Sequence, residues 1–153
     1  MAGEKKFNPV FAENRKARHD FTVLETIECG IVLSGTEAKS CRCGGVSLSG
    51  SYGAVLRGEL WLVGADIAAY KFGNRFNHEP KSRRKLLVHA KEVESLRLKT
   101  EAKGLTLIPL RVFLKRGRIK LDLGVCRGRQ LHDKRDALKK KVQRREMERQ
   151  GMR

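Results

Sequence analysis

From Phe21 to Leu33 the odd-numbered positions read Phe21, Val23, Glu25, Ile27, Cys29, Ile31 and Leu33. Apart from Glu25 this is one apolar face at a period of two, the pattern of a long strand buried on one side. Alternation resumes with Val46, Leu48, Tyr52, Ala54 and Leu56 on one face. Arg57-Gly58-Glu59 then supplies a turn, and Leu60 to Ile67 forms the return strand. Thr106 to Leu114 pairs with Arg118 to Cys126 through the turn Lys115-Arg116-Gly117. In the second of these strands Ile119, Leu121, Leu123 and Val125 point inward, while Arg118, Lys120 and Asp122 point out.

Two helical segments separate these strands. A short helix follows Leu33, with Thr36 as its cap, Glu37 in its first turn and Gly44-Gly45 as its stop. A longer insert carries Leu86, Ala90, Val93 and Leu96 at helical spacing and ends at Gly104. Five or six antiparallel strands with an inserted helix fit a small closed barrel of the OB type, with about three flanking helices in all. A two-layer α+β sheet is the competing arrangement. Residues 1–18 are polar and basic and read as a loose leader, leaving 19–128 for the barrel.

The charge says what such a barrel would meet. The 153 residues carry a formal net charge of +17, and so large an excess calls for a polyanion to neutralise it. No apolar run approaches the roughly 20 residues that span a bilayer, and the first 20 residues contain no secretion-signal core. The partner could then be nucleic acid or an anionic membrane surface, of which nucleic acid without membrane is expected; the expected location is cytoplasmic by default, and a monomer is expected. Arg127 to Arg153 holds 11 Lys or Arg against 4 Asp or Glu. Its apolar residues are few, so residues 129–153 are expected to be disordered when free. The segment is nevertheless rich in helix formers, and Leu131, Leu138 and Val142 would share a helical face. It is expected to fold on a polyanion.

Lys71 to Lys85 reads KFGNRFNHEPKSRRK, with six cations interleaved with Phe72, Phe76 and His78 and opposed only by Glu79. RNA recognition uses this mixture: cations for phosphates, amide and guanidinium groups for base edges, rings for unpaired bases. At least one of the two phenylalanines is expected to anchor the segment to the core. Trp61 lies inside an alternating strand and is expected to pack in the core or at its rim.

Nothing assembles a catalytic centre. His19, His78, His89 and His132 are dispersed, and no Gly-rich loop has a phosphate-binding lysine at the required spacing. Of Cys29, Cys41, Cys43 and Cys126 only Cys41 and Cys43 are close in sequence. That is too few for a zinc site, and reduced, packed thiols are expected. No enzyme activity, metal or cofactor is expected.

Several strings together carry a resemblance. They are KARHD (16–20), ECGIVLSGTEAKSCR (28–42), SYG (51–53), NRFNHEPKSRRKLLVH (74–89), KGLTLIPL (103–110), GRIKLDLGVCRGR (117–129) and HDKRDALKKK (132–141). In this order the chain resembles the SmpB family of SsrA-binding proteins, which accompany tmRNA in trans-translation. The resemblance implies an OB-type barrel that binds the tRNA-like domain of tmRNA and helps deliver it to stalled ribosomes. It places Asn14, Arg18, His19, Glu28, Lys85 and Leu87 against tmRNA. Lys39 of the GTE-x-KS string and Arg75, Asn77, Arg83 and Arg84 of the basic segment join them as candidate RNA contacts. In the tail, Arg129, His132, Asp133, Lys134, Arg135 and Lys139 would meet small-subunit rRNA in the decoding centre and the empty mRNA channel. Elongation factor Tu would be an indirect partner. A structural ribosomal protein or another OB-type translation factor is the alternative reading.

Overall fold

The computed structural model describes residues 9–73, 77–128 and 131–151, with side chains over 138–148 in the last stretch. In chain order the elements are β1 (Val10–Glu13), α1 (Arg15–Asp20), β2 (Phe21–Ile31), α2 (Gly35–Arg42), β3 (Val46–Ser47), β4 (Tyr52–Leu56) and β5 (Glu59–Val63). They continue with β6 (Asp66–Ile67), β7 (Arg84–Leu87), α3 (Ala90–Lys103), β8 (Thr106–Lys115), β9 (Arg118–Gly128) and α4 (Leu131–Gly151). Six strands pair antiparallel in the order β8-β4-β5-β7-β2-β9, and β8 pairs with β9 to close the ring. The result is a barrel of the OB type, with β1 added outside β8 and β3 paired with β6 in a small separate ribbon.

Closure leaves the barrel strands without free edges and gives their inward side chains one shared interior. Cys29, Leu60, Leu62, Leu86, Leu107, Val112, Leu121, Leu123 and Val125 fill it, and Leu96 of α3 covers it. The ring is narrowest where β4 meets β8, through the single pairing Gly53↔Leu107. A Cβ on Gly53 would stand 2.9 Å from the Leu107 Cβ, so only glycine lets the strands approach this closely. On the far side of β8, Ala17 of α1 packs with Ile108, Leu110 and Cys126 in a second cluster. Residues 107–110 are therefore buried on both faces.

The long alternation from Phe21 is β2, and Glu25 breaks its pattern where the register with β9 shifts between Val23 and Glu25. The bulge moves Phe21 and Val23 to the outer cluster around Cys126, whereas Glu25 keeps the phase of Ile27 and its exposed carboxylate pairs with Lys99 at 2.5 Å. Both hairpins fall where the sequence puts them, with Arg57-Gly58 and Arg116-Gly117 all at positive φ.

Other expectations need correction. Residues 10–18, expected within a loose leader, instead lie in β1, its link at Asn14 and α1, tied to the barrel by the Asn14 amide bonded to the Leu110 carbonyl. Their apolar content is low because Ala17 is the one apolar side chain fully buried there, with Phe11 and Ala12 packed only partly against the core. The cap of α2 is Ser34 rather than Thr36, and Glu37 completes a reciprocal capping box with it. Leu86 belongs to strand β7, not to the helical insert, which starts at Ala90. In β4 the faces are reversed: Tyr52 and Leu56 are exposed, and Gly53 and Val55 lie inside. A tight turn at Leu48–Ser51, with Gly50 at positive φ, breaks the alternation carried from Val46. Gly64 likewise divides the expected return strand into β5 and β6. Leu131–Gly151 forms a helix, α4, the form expected for this segment on a polyanion rather than when free. Its residues 138–148 are exposed throughout, so this helix rests on local propensity rather than on burial.

Candidate nucleic-acid interface

Strand registers place the outward residues of four strands in two rungs. Leu87 of β7 lies beside Gly30 of β2, which faces Lys120 of β9 and then Phe113 of β8. In the second rung Glu28 faces Asp122, which faces Arg111. Two carboxylates directly opposite on adjacent strands repel each other, and β8 supplies a cation to each. Lys115 Nζ is 2.8 Å from Glu28, and Arg111 Nε is 2.5 Å from Asp122. The Lys115 hydrogen bond holds the Glu28 carboxyl below its ordinary range. The Arg111 guanidinium also stacks 4.5 Å above the Phe113 ring.

Beside these rungs, between α2 and the β8–β9 turn, runs an open groove of about 300 Å³. Leu33, Leu87 and Ile119 give it an apolar floor, and Arg42, Arg118 and Lys120 stand along it. None of these three cations has a carboxylate within 4 Å among the described residues. An apolar floor with unneutralised cations suits a ribose or base lying flat with its phosphates at the rim. Leu87 is half exposed, and Gly30 beneath it is bare because a Cβ there would stand 3.2 Å from the Leu87 Cβ.

The sequence candidates divide among several places. Glu28 and Leu87 lie on the groove side of the barrel. Arg18 and His19 are exposed on α1, at the opposite end of β2, with His19 Nδ1 3.0 Å from Asp20. Seven residues of strand, some 23 Å, separate that end from Glu28. Lys85 is on the outer face of β7 opposite Trp61, and its ammonium pairs with Glu59 at 3.0 Å. Trp61 also faces outward, half-buried, with the Arg83 guanidinium 5.5 Å from its ring centre. Lys39 extends from α2 over the Tyr70 ring at 5.7 Å. Lys139 is exposed on α4. Arg75, Phe76 and Arg129 lie outside the described residues, as do the side chains of His132, Asp133, Lys134 and Arg135.

Three candidates have structural partners within the fold. Asn14, 8% exposed, caps α1 by accepting from Ala17 N at 3.2 Å and donates to the Pro109 carbonyl at 3.0 Å. Asn77 accepts from Tyr70 N at 3.1 Å and donates to Tyr70 O at 2.8 Å, closing the basic loop on itself. Arg84, 2% exposed, pairs with the Glu37 carboxylate and donates to the carbonyls of Ala65, Glu79 and Pro80. Its guanidinium is used up in joining α2, the link between β5 and β6 at Ala65, and the basic loop. Burial alone would raise the Glu37 carboxyl, but the Ser34 amide and Arg84 outweigh it and hold it below the ordinary range. One turn away, His78 bridges Thr36 Oγ1 at 2.9 Å and the Ile67 carbonyl at 2.8 Å.

Sequence reasoning missed Arg42, Lys115, Arg118 and Lys120. Their signal was the outward phase of β9, which marks Arg118 and Lys120 as a surface pair but does not say what lies across from them. Among the described residues no three His, Cys, Asp or Glu side chains converge as metal ligands. Cys29, Cys41 and Cys126 are buried and Cys43 is exposed. Burial pushes the thiols of Cys29 and Cys41 up to about 12 and about 11, away from reactive thiolate.

Residues 11–153 match the SmpB protein family. The chain is 51% identical over 150 residues to the SsrA-binding protein of Staphylococcus haemolyticus, covering 97% of this chain and 96% of that one. It is 51% identical over 137 residues to the SsrA-binding protein of Desulforudis audaxviator, covering 90% of each. A solved structure of SmpB with tmRNA in the bacterial ribosome superimposes with a TM-score of 0.67 at 46% identity. That match covers 85% of this chain and 94% of the other.

Proposed function

Because the chain belongs to the SmpB family, we propose that it binds tmRNA through the tRNA-like domain and accompanies it to stalled ribosomes. It acts as an RNA-binding adaptor in the cytoplasm rather than as an enzyme, with the small subunit as its second RNA partner. The near-complete correspondence with SsrA-binding proteins carries this reading, and the cationic groove beside Glu28 supplies the physical means. Arg42, Arg118 and Lys120 neutralise phosphates, Leu87 packs on a base or ribose, and Glu28 can accept from a base amino group. The Glu28 carboxyl, lowered further by its hydrogen bond from Lys115, is an acceptor at neutral pH. Arg18 and His19, at the other end of β2, contact a separate part of the RNA.

The tail has a different task. A helix of 21 residues spans roughly 30 Å, enough to line a vacated mRNA channel, with His132 to Arg135 entering at the decoding centre. Exposed over its described side chains, 138–148, it is marginal alone and gains stability against rRNA phosphates. Two measurements test this division. At physiological salt the protein should bind tmRNA far more tightly than a generic RNA hairpin; equal affinities would defeat the specific assignment. Deleting residues 131–153 should leave tmRNA binding intact and abolish tagging of stalled nascent chains. Loss of tmRNA binding in that truncation would refute the division.

A further inference from the structure

We propose that the loop after β6 carries a second RNA site, a stacking platform for an unpaired nucleobase centred on Phe72. The groove and its cations do not include it.

The loop is built to present this ring. Gly73 N donates to the Tyr70 carbonyl at 2.9 Å, which makes Tyr70–Gly73 a tight turn with Lys71 and Phe72 at its apex. Asn77 fixes the base of the turn by bonding both the amide and the carbonyl of Tyr70. Central turn positions ordinarily carry polar residues or glycine, yet here one holds a phenylalanine that is 78% exposed. Tyr70 stands edge-on to it at 5.7 Å between ring centres. The Lys71 ammonium lies 5.9 Å from the Phe72 ring, and that of Lys39 lies 5.7 Å from the Tyr70 ring.

The electrostatics point to nucleic acid. Lys39 and Lys71 stand against the Tyr70 and Phe72 rings, Lys81 and Arg83 are exposed farther along the same loop, and none of the four has a carboxylate within 4 Å among the described residues. Glu79 is exposed in the same loop, while Glu37 is buried and neutralised by Arg84. A fixed aromatic face amid several cations is the equipment that holds single-stranded nucleic acid, because every base offers a ring to stack and every phosphate a charge to neutralise. A duplex keeps its bases stacked on each other and offers none to Phe72.

The platform and the groove occupy opposite flanks of α2. Ala38 and Arg42 line the groove, whereas Thr36 and Lys39 turn to the loop, through His78 and Tyr70 respectively. Separate RNA elements can therefore occupy the two sites, and their occupancy can be measured separately.

The test uses the full chain and a fluorescent 12-nucleotide oligo(A), read by anisotropy at physiological salt. Phe72→Ala should weaken binding roughly 5- to 100-fold, the usual range for loss of one stacked base, and Phe72→Trp should restore it. The same variants are then titrated with intact tmRNA and with purified small ribosomal subunits. A parallel loss on either one names the source of the unpaired base. Oligo(A) affinity within twofold of wild type for Phe72→Ala would overturn the proposal. So would a loss on oligo(A) with none on either natural RNA. Lys120→Ala, in the groove, reports on tmRNA recognition independently, so failure of one site does not mask failure of the other.

Discussion

Replacing Arg84 by methionine separates a structural reading of the RRKLL stretch from a nucleic-acid reading. Methionine keeps most of the volume and removes the charge. It leaves the Glu37 carboxylate buried beside a missing partner and strips donors from the carbonyls of Ala65, Glu79 and Pro80. Breaking a buried pair from one side costs about 3–5 kcal/mol, because the remaining charge is uncompensated. Set against the 5–15 kcal/mol that holds typical domains together, this is a large fraction. At about 2–4 °C per kcal/mol for a chain of this size, the melting midpoint should fall by roughly 10 °C. Thermal and urea unfolding, followed by circular dichroism and Trp61 fluorescence, measure it. The double variant Glu37→Gln, Arg84→Met should recover part of the loss, since no lone carboxylate then remains buried. Under conditions where the single variant is still folded, any fall in its tmRNA affinity should track the loss of stability and be recovered with it in the double variant. A variant with unchanged stability but sharply weaker RNA binding would refute the argument and return Arg84 to the interface.

Two further outcomes follow from the same geometry. The Glu37 carboxyl is held below the ordinary 4.5 in the folded state, so its contribution is present above that pH and fades as pH falls through the lowered value; Glu37→Gln should flatten the acid limb of the stability profile, and an unchanged limb would remove Glu37 as its source. Gly53→Ala places a methyl 2.9 Å from the Leu107 Cβ at the barrel's closing pair and should cost about 1–3 kcal/mol in urea unfolding, whereas wild-type stability would mean that the strands part there without strain.

The barrel was legible because its longest strands, β2, β8 and β9, carry long apolar patterns, and β8 and β9 join at a recognisable turn. Short elements were not. β7 has four residues, two of them cations, so Arg84, Lys85, Leu86 and Leu87 read as a basic run rather than as a strand. Only the pairing with β5 and β2 shows that Leu86 points into the core and Leu87 away from it. β1 and α1 escaped for a related reason: a four-residue strand and a six-residue helix contain too little apolar surface to register against a basic background. Site residues suffered from the opposite bias. Polar residues in matched strings invite a functional role, yet Asn14 and Asn77 spend their hydrogen bonds on backbone. Composition cannot distinguish a side chain that meets RNA from one that shapes the surface meeting it.

That distinction has a physical origin in this fold. A strand presents successive side chains to opposite sides, so a basic run laid along β7 must send its members to different environments. Arg84 points inward, where only a buried carboxylate and carbonyls can balance its charge; Lys85 points outward to Glu59 and solvent. The inward member ties the barrel to α2 and to the base of the basic loop, and thereby fixes where Lys39, Phe72 and Arg83 sit. Cations on the outer surface then act together because an interior cation holds their scaffold in register. A chain with net charge +17 would otherwise have every reason to keep such a loop extended and its cations apart.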